Sequence, residues 1–445
     1  MRSDEAFQIS DCKFQIENIG RNDTSYAELR IQITNHESRI TIHAGQEMKS
    51  LDFKVKGFLF SGISAGIKKD GKRDLGLIYS EVPAQVAGVF TTNAVKAAPV
   101  QLDRERIKRG LCQVIVVNSG NANACTGSQG LGDAKRVSSL VGRRLKIDER
   151  LVFPSSTGVI GSPLPMKKIE EGIPRLVDQL SSEGWMKTVE AMMTTDTFPK
   201  VEVAACRIKG KQVKLCGMVK GAGMIRPDLA TMLSFLVTDA RIKAPLLQQM
   251  LEKASEASYN RITVDGETST NDTVLLLANG KAGHPYLSRM DRDAKTFQAM
   301  LSKVCRSLAE GVVKDGEGAT KLVEILVRGA RNIEEAKQAA YAVAHSPLVK
   351  TAFFGEDANW GRILCALGYC GVHIDPKKID LFFDNAPVVR KGVGVGPRLE
   401  GKAGRILKKK SFKVTADLHQ GKSQFSVLTT DLSLDYVKIN ASYRS

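Results

Sequence analysis

The chain has 445 residues, 42% hydrophobic and 25% charged, an ordinary globular composition with length for one large or two medium cores, and it excludes large-scale disorder. Lys and Arg number 65 against 48 Asp and Glu, a net charge of +17; the basic residues stand in dispersed clusters (IKKDGKRD, GRRLK, LKKKSFK) with few aromatics. That pattern fits an enzyme for anionic metabolites better than a stacking platform for nucleic acid.

No apolar run approaches the ~18 residues of a membrane span, and MRSDEAFQISDCKFQIE is acidic where a signal peptide is basic and then apolar. Neither membrane nor nucleic acid is expected as a partner, and the expected compartment is the cytoplasm. The eight cysteines include no C-x-x-C, and the closest pair, Cys365 and Cys370, lies in the apolar stretch ILCALGYCGV. They read as small buried hydrophobes. The six histidines form no H-x-x-x-H or H-E-x-x-H arrangement, so neither a metal nor a cofactor is expected.

Residues 1–47 carry five Lys or Arg and eight Asp or Glu, a local charge of −3 against +20 for the rest. They alternate in strand fashion (FQIS, KFQI, LRIQIT, RITI), and Met48 then opens MKSLDFKVKGF. Two readings stay open, a β-like extension or sequence upstream of a native start. QVIVV at 113–117 reads as a buried strand emptying into the loop NSGNANACTG. Helices are expected over 179–193 and 244–258, the second with one stripe of Leu246, Leu247, Met250, Leu251 and Ala254.

MLSFLVT after Thr231 has strand character, and TVLLLANG at 273–280 is a strand closed by Asn-Gly. A helix from Asp293 to Glu310 ends in glycine before the strand KLVEILVRG. SFKVTADLHQGKSQFSVLTTDL holds two alternating runs about Gln-Gly, a hairpin signal. The sum is a mixed α/β or α+β enzyme with several sheets and no internal repeat.

Polar, glycine-bearing loops are the candidates for chemistry. SSTGVIG at 155–161 offers hydroxyls and a glycine N–H able to approach an oxyanion, although a plain Ser/Thr turn is the blander reading. DGETSTNDT (265–273) and KDGEGATK (314–321) look like acidic turns. KGVGVGP at 391–397 lacks the G-x-G-x-x-G spacing and meets Pro397 where that motif requires a helix, which rejects a dinucleotide site. No G-x-S-x-G elbow or P-loop occurs. What remains for nucleophilic catalysis is a hydroxyl without a histidine near it in sequence. A threonine becomes competent if it is a chain terminus, because its own α-amine, with a reference pKa of about 7.7–8.0, then serves as base.

The motifs STGVIG, TTDTFPK, KGAGMI, LATMLSFLVTDA, DGETSTNDT, DGEGATK, GEDANWGR and the final NASYRS together resemble the glutamate N-acetyltransferase family, also called ornithine acetyltransferase, over roughly residues 53–445. The resemblance implies an αββα-type sandwich and a precursor that cleaves itself between Ala230 and Thr231. The products would be an α chain, residues 48–230 after the extension, and a β chain, 231–445.

Thr231 would then be the nucleophile, taking acetyl from N2-acetylornithine and passing it to glutamate in ping-pong fashion. Thr157 and Gly158 match the family's oxyanion hole. Thr197, Lys220, Thr231, Glu317, Asn440 and Ser445 match its substrate-contacting positions, the last implying a C-terminal tail tucked into the site. A lysine suits the α-carboxylate common to both substrates, and Glu317 suits an amine. The resemblance also implies a heterotetramer of two α and two β chains, and it leaves open whether acetyl-CoA is a second donor. The alternative is a self-processing aminopeptidase of related fold that delivers the acyl group to water; DGEGATK and NASYRS argue against it.

Overall fold

The computed structural model describes residues 8–9, 12–15, 32–33, 53–226 and 232–442. In the N-terminal segment β1 (Gln8–Ile9), β2 (Cys12–Gln15) and β3 (Gln32–Ile33) pair in a small antiparallel sheet of their own. Ala230, Thr231 and Ser445 lie outside the described residues.

The main sheet comprises β4 (Phe58–Ile63), β5 (Leu75–Phe90), β6 (Leu111–Asn121), β7 (Val152–Val159), β8 (Lys200–Ile208), β9 (Lys211–Lys220), β10 (Leu233–Thr238) and β11 (Thr273–Ala278). Its order is β7-β6-β5-β11-β10-β9-β8, with β4 also on β5. β5 decides the architecture. Its first half, from Leu75 to Ser80, pairs with β4, and its second half, Gln85 to Phe90, pairs with β11. Between them the register with β6 shifts from Tyr79 to Ala84, across Pro83, a residue that cannot donate to a ladder.

The two halves fold face to face. Phe58, Phe60, Ile78, Ile115 and Phe153 from one meet Met218, Phe235, Val237, Leu275 and Leu277 from the other in a single buried cluster. Alternate residues point outward. On one side Leu75, Leu77, Val114 and Val116 pack beneath Val137, Val141, Ile169 and Ile173, which belong to the helices Gly127–Leu145 and Met166–Asp178. On the other, Leu236, Val274 and Leu276 pack beneath the helices Ala244–Glu256 and Arg292–Lys314. The expected αββα sandwich is therefore present, and its two β layers are halves of one folded sheet. β10 and β11 are buried at every position, which is why LSFLVT and TVLLLA read as unbroken apolar runs.

A second sheet comprises β12 (Leu322–Ala330), β13 (Asp380–Phe383), β14 (Ala386–Arg390), β15 (Val393–Gly394), β16 (Ser411–Asp417) and β17 (Ser423–Thr430) in the order β15-β14-β13-β16-β12-β17. Helices Ile333–His345, Pro347–Phe354, Trp360–Gly368 and Pro397–Leu407 cover one face of it. A division of the chain at 230/231 runs through the first sheet, where β10 pairs with β9 in the register Leu233 to Lys220.

Several local expectations are corrected. β16 and β17 are not a hairpin, because β12 lies between them, parallel to β16 and antiparallel to β17. The Gln-Gly segment instead crosses the end of β12, with the Leu418 and Gln420 N–H groups donating to the Arg328 and Gly329 carbonyls. The helix expected over 179–193 spans Trp185–Met192, and Met166–Asp178, unannounced because Gly172 and Pro174 interrupt its stripe, is a helix. The helix Arg292–Lys314 runs past Gly311. Pro397 opens a helix rather than forbidding one, its fixed φ suiting the first turn; the spacing argument against a dinucleotide site is unaffected. Of the seven cysteines from Cys112 to Cys370, five are buried, while Cys125 and Cys365 are exposed.

Because Leu277 is fully buried between the β layers, Leu277→Ala is expected to cost about 2–5 kcal/mol, read from the urea midpoint. A loss within about 0.5 kcal/mol, the range of an ordinary surface change, would contradict this placement.

Candidate active site

The folding of the sheet brings distant strand ends together. β7 and β9 belong to opposite layers, yet the Lys220 Nζ at the end of β9 donates to the Thr157 Oγ1 near the end of β7 at 3.2 Å. Both side chains are 9% exposed. Lys220 is thus a buried cation, not the surface charge its residue type alone suggests. An ammonium has only donors, so the Thr157 oxygen is the acceptor in this contact and its own O–H is free to donate elsewhere.

The backbone beside Thr157 is tightly confined. Gly158 has φ +133°, and a Cβ there would come within 2.4 Å of the Gly120 carbonyl carbon and 2.5 Å of the Asn121 nitrogen. Only glycine fits such a position. Ser156 Oγ donates to Asn118 Oδ1 at 2.6 Å, and Asn118 Nδ2 to the Asn121 carbonyl at 2.8 Å. Asn271, from the loop before β11, donates through Nδ2 to the Ala122 and Ser156 carbonyls at 2.6 and 2.8 Å. The loops NSGNANA, SSTG and STND therefore form one hydrogen-bonded clamp that holds the Thr157–Gly158 backbone.

A charged cluster underlies Lys220. Asp196 Oδ1 accepts from Lys200 Nζ at 2.7 Å and from the Gly221 N–H at 2.7 Å, and the Thr194 N–H reaches Oδ2 at 2.9 Å. Lys200 also pairs with Asp315, which accepts from the Thr197 N–H at 3.1 Å and from the Thr197 hydroxyl. Burial by itself raises the Asp196 carboxyl, but the Lys220 and Lys200 ammonium groups and the hydrogen bonds outweigh it and hold it down to about 2. Burial pushes Lys220 below its usual value; Asp196 opposes that shift, Lys200 adds to it, and Asp272 and Glu317 oppose it.

Glu317 lies across the same space. Its N–H donates to the Ala222 carbonyl at 2.8 Å, and its carboxylate takes Asn440 Nδ2 at 2.8 Å. A Cβ on Gly223 would meet that carboxylate at 2.4 Å, so the glycine of KGAGMI is what admits it. The chain on either side of 227–231 is pinned. Asp265 accepts from the Met224 and Ile225 N–H groups at 2.6 and 2.8 Å, and the Thr273 N–H donates to the Met232 carbonyl at 3.0 Å.

The structure therefore gathers Thr157, Gly158, Thr197, Lys220, Glu317 and Asn440 about the described ends that flank Thr231. Asp196, Lys200, Asp315, Asn271 and Asp272 were not singled out from sequence, although every one except Asn271 and Asp272, which lie in DGETSTNDT, stands in or beside TTDTFPK or KDGEGATK. Among the described residues no three His, Cys, Asp or Glu side chains gather as a metal would require.

The Asp196 carboxyl is depressed in the folded state, so its stabilisation is present above the unfolded value of about 3.9 and is lost as the pH falls toward about 2. Asp196→Asn is expected to flatten the fall of the urea midpoint across that range. An unchanged acid slope would contradict the pairing.

A family model described as the ArgJ family matches residues 59–445. The arginine biosynthesis bifunctional protein ArgJ of Geobacter sulfurreducens is 53% identical over 391 residues, covering 88% of this chain and 100% of that one. The protein of the same name from Syntrophotalea carbinolica is 53% identical over 394 residues, covering 88% and 100%. A crystal structure of arginine biosynthesis bifunctional protein ArgJ from Bacillus halodurans is 42% identical over 48% of this chain and 100% of that chain, with a TM-score of 0.46. The family model and the identity to the two ArgJ proteins over 88% of the chain show that the chain belongs to the ArgJ family.

Proposed function

We propose that the protein is a cytoplasmic acetyltransferase of arginine biosynthesis that moves the acetyl group of N2-acetylornithine to glutamate through an ester on Thr231. Family membership supports the reaction. The Lys220–Thr157 hydrogen bond at 3.2 Å is the observation that carries the assignment of the site, since it directs the Thr157 O–H away from Lys220 and toward whatever negative charge develops beside it. With the Gly158 N–H it makes a two-donor oxyanion hole.

In the first half-reaction the Thr231 Oγ attacks the acetyl carbonyl, and its proton passes to the Thr231 α-amine. The carbonyl oxygen, now negative, is met by Thr157 and Gly158. The amine returns the proton to the departing nitrogen as the amide C–N bond breaks, which releases ornithine. In the second, the glutamate amine attacks the ester, N-acetylglutamate leaves and Thr231 is restored. Lys220 and Glu317 are opposite charges about one space, which suits the carboxylate and amine that an amino acid presents. Thr197 and Asn440 supply polar edges, and Ser445 completes the set.

The Thr231 amine exists only if the chain breaks between Ala230 and Thr231. The pairing of β9 with β10 would hold the resulting chains together, and two such pairs would form a heterotetramer. Relatives named bifunctional support a second activity, for which we take acetyl-CoA as the donor. Hydrolytic transfer to water, as in an aminopeptidase of related fold, is not favoured.

A denaturing gel with N-terminal sequencing is expected to show two chains, the smaller beginning TMLSF. One intact chain with full transfer activity would contradict the mechanism. Thr231→Ala is expected to abolish both cleavage and turnover. Thr157→Ala is expected to lower kcat by about 10²- to 10³-fold with a smaller effect on KM; a change confined to KM would assign Thr157 to binding instead.

A further inference from the structure

Glu317 stands in a closed ring of contacts, and Asp265 touches both sides of it. On one side is the chain that leaves β9. Ala222 accepts the Glu317 N–H at 2.8 Å, and Gly223, lacking a Cβ, gives the carboxylate room. The next residue, Met224, has φ +57°, a left-handed conformation that a residue with a side chain keeps only when its surroundings hold it there. Asp265 supplies the hold. Its Oδ2 accepts the Met224 N–H at 2.6 Å and its Oδ1 the Ile225 N–H at 2.8 Å, so two successive amides converge on one carboxylate.

On the other side is the helix Leu434–Ser442, none of whose described residues is buried. Polar contacts rather than apolar packing hold it to the body of the protein. Ser433 Oγ, just before the helix, donates to the Gly318 carbonyl at 2.6 Å. The Tyr436 hydroxyl donates to Asp265 Oδ2 at 3.4 Å. Asn440, one turn on and therefore on the same face, donates through Nδ2 to Glu317 Oε2 at 2.8 Å and to the Tyr436 carbonyl at 3.0 Å. That leaves Glu317 Oε1 without a hydrogen-bond partner among the described residues.

Burial pushes the Asp265 carboxyl above its usual range; the Glu267, Met224 and Ile225 N–H groups oppose the rise, and the Glu317 carboxylate adds to it. Lys350 is the cation facing Asp265, but its Nζ is taken up by the Thr429 hydroxyl and by the Thr430 carbonyl and hydroxyl, at 3.2, 2.6 and 3.0 Å. Two carboxylates within electrostatic reach of each other are a cost to the empty site, and a positive group arriving at Glu317 relieves it.

We propose that Asp265 is a positioning residue for Glu317. It fixes Gly223 against the Glu317 carboxylate and, through Tyr436, fixes Asn440 beside it, so that Oε1 is presented to the free amine of N2-acetylornithine. Asp265 itself exchanges no proton and touches no substrate. Its effect passes through Glu317, and so falls on binding of the amine rather than on attack at the acetyl carbonyl. The inference rests on the reading of Glu317 as the residue that holds an amine.

The test measures chain cleavage, melting temperature, and kcat and KM for N2-acetylornithine. The variants are Asp265→Asn, Tyr436→Phe and Glu317→Gln, with Asp265→Asn and Tyr436→Phe each also combined with Glu317→Gln. Asp265→Asn is expected to raise KM about tenfold, the size of one hydrogen bond to a charged group, and Tyr436→Phe about threefold, with kcat within about threefold of the wild type in both. Glu317→Gln also raises KM. Adding either of the other substitutions to it should change KM by less than about twofold, because a residue that acts through Glu317 then has nothing to act on.

A wild-type KM in Asp265→Asn, or effects that multiply when it is combined with Glu317→Gln, overturns the proposal and leaves the Glu317 reading intact. If Asp265→Asn fails to cleave or melts at a lower temperature, Tyr436→Phe decides by the same two criteria. A wild-type KM in Glu317→Gln removes the Glu317 reading itself, and the proposal with it.

Discussion

The site depends on one buried charge. Lys220 ends β9 inside the protein, where an ammonium is tolerated only with oxygen partners around it. Asp196 supplies the negative charge and Thr157 the hydrogen bond. These two requirements fix much else: Asp196 also holds the Gly221 N–H, which sets the direction in which the chain leaves β9. Thr157, taken as acceptor by Lys220, keeps its own proton to donate elsewhere. One ion thus orients the Thr157 hydroxyl, which we propose as an oxyanion donor, and the chain that leaves β9.

That contact is possible because a single sheet folds back on itself. Had β5 run straight, β7 and β9 would lie on opposite flanks of an eight-stranded sheet, too far apart for a side chain to bridge. The irregularity between Tyr79 and Ala84 lets the two halves stack, and helices close the outer faces. The Thr157–Lys220 contact then sits where the layers meet at one edge, with Asn271, just before β11, bonded to the Ser156 carbonyl of β7. Gly158 is part of the same geometry, since its contact with Gly120 and Asn121 leaves no room for a Cβ.

Much of the sandwich was legible in the sequence. Buried strands such as β10 and β11 announce themselves as apolar runs, and the stripe over 244–258 matches the helix Ala244–Glu256. What failed were readings that depend on neighbours far away in sequence. The two runs about Gln-Gly look like a hairpin because the intruder, β12, comes from some ninety residues earlier (β12 at 322–330 against β16 at 411–417). The helix Met166–Asp178 was hidden by Gly172 and Pro174, local breakers that packing of Ile169, Ile173 and Leu176 overrides.

The site divides in the same way. Thr157, Gly158, Lys220 and Glu317 were reached through motif resemblance, and the structure gives them a common space. Asp196 and Asp315 lay within the quoted motifs but stayed silent, because a carboxylate shows its role only through its partners, and Lys200 joins two acids 119 positions apart (196 and 315). Asp272 reads in sequence as one more acid in an acidic turn; its burial, and the lack of a hydrogen-bond partner for its Oδ2 among the described residues, exist only in the fold.

The central claim is that an acetyl group rests on Thr231 between two substrates. Intact-mass analysis of the purified enzyme after incubation with N2-acetylornithine and no glutamate tests it directly. The account predicts one acetyl group added to the smaller chain, mapped by fragmentation to its first residue and lost when glutamate is supplied. Unmodified chains under conditions where acetyl transfer to glutamate is rapid, or an acetyl group on any other residue, would contradict it.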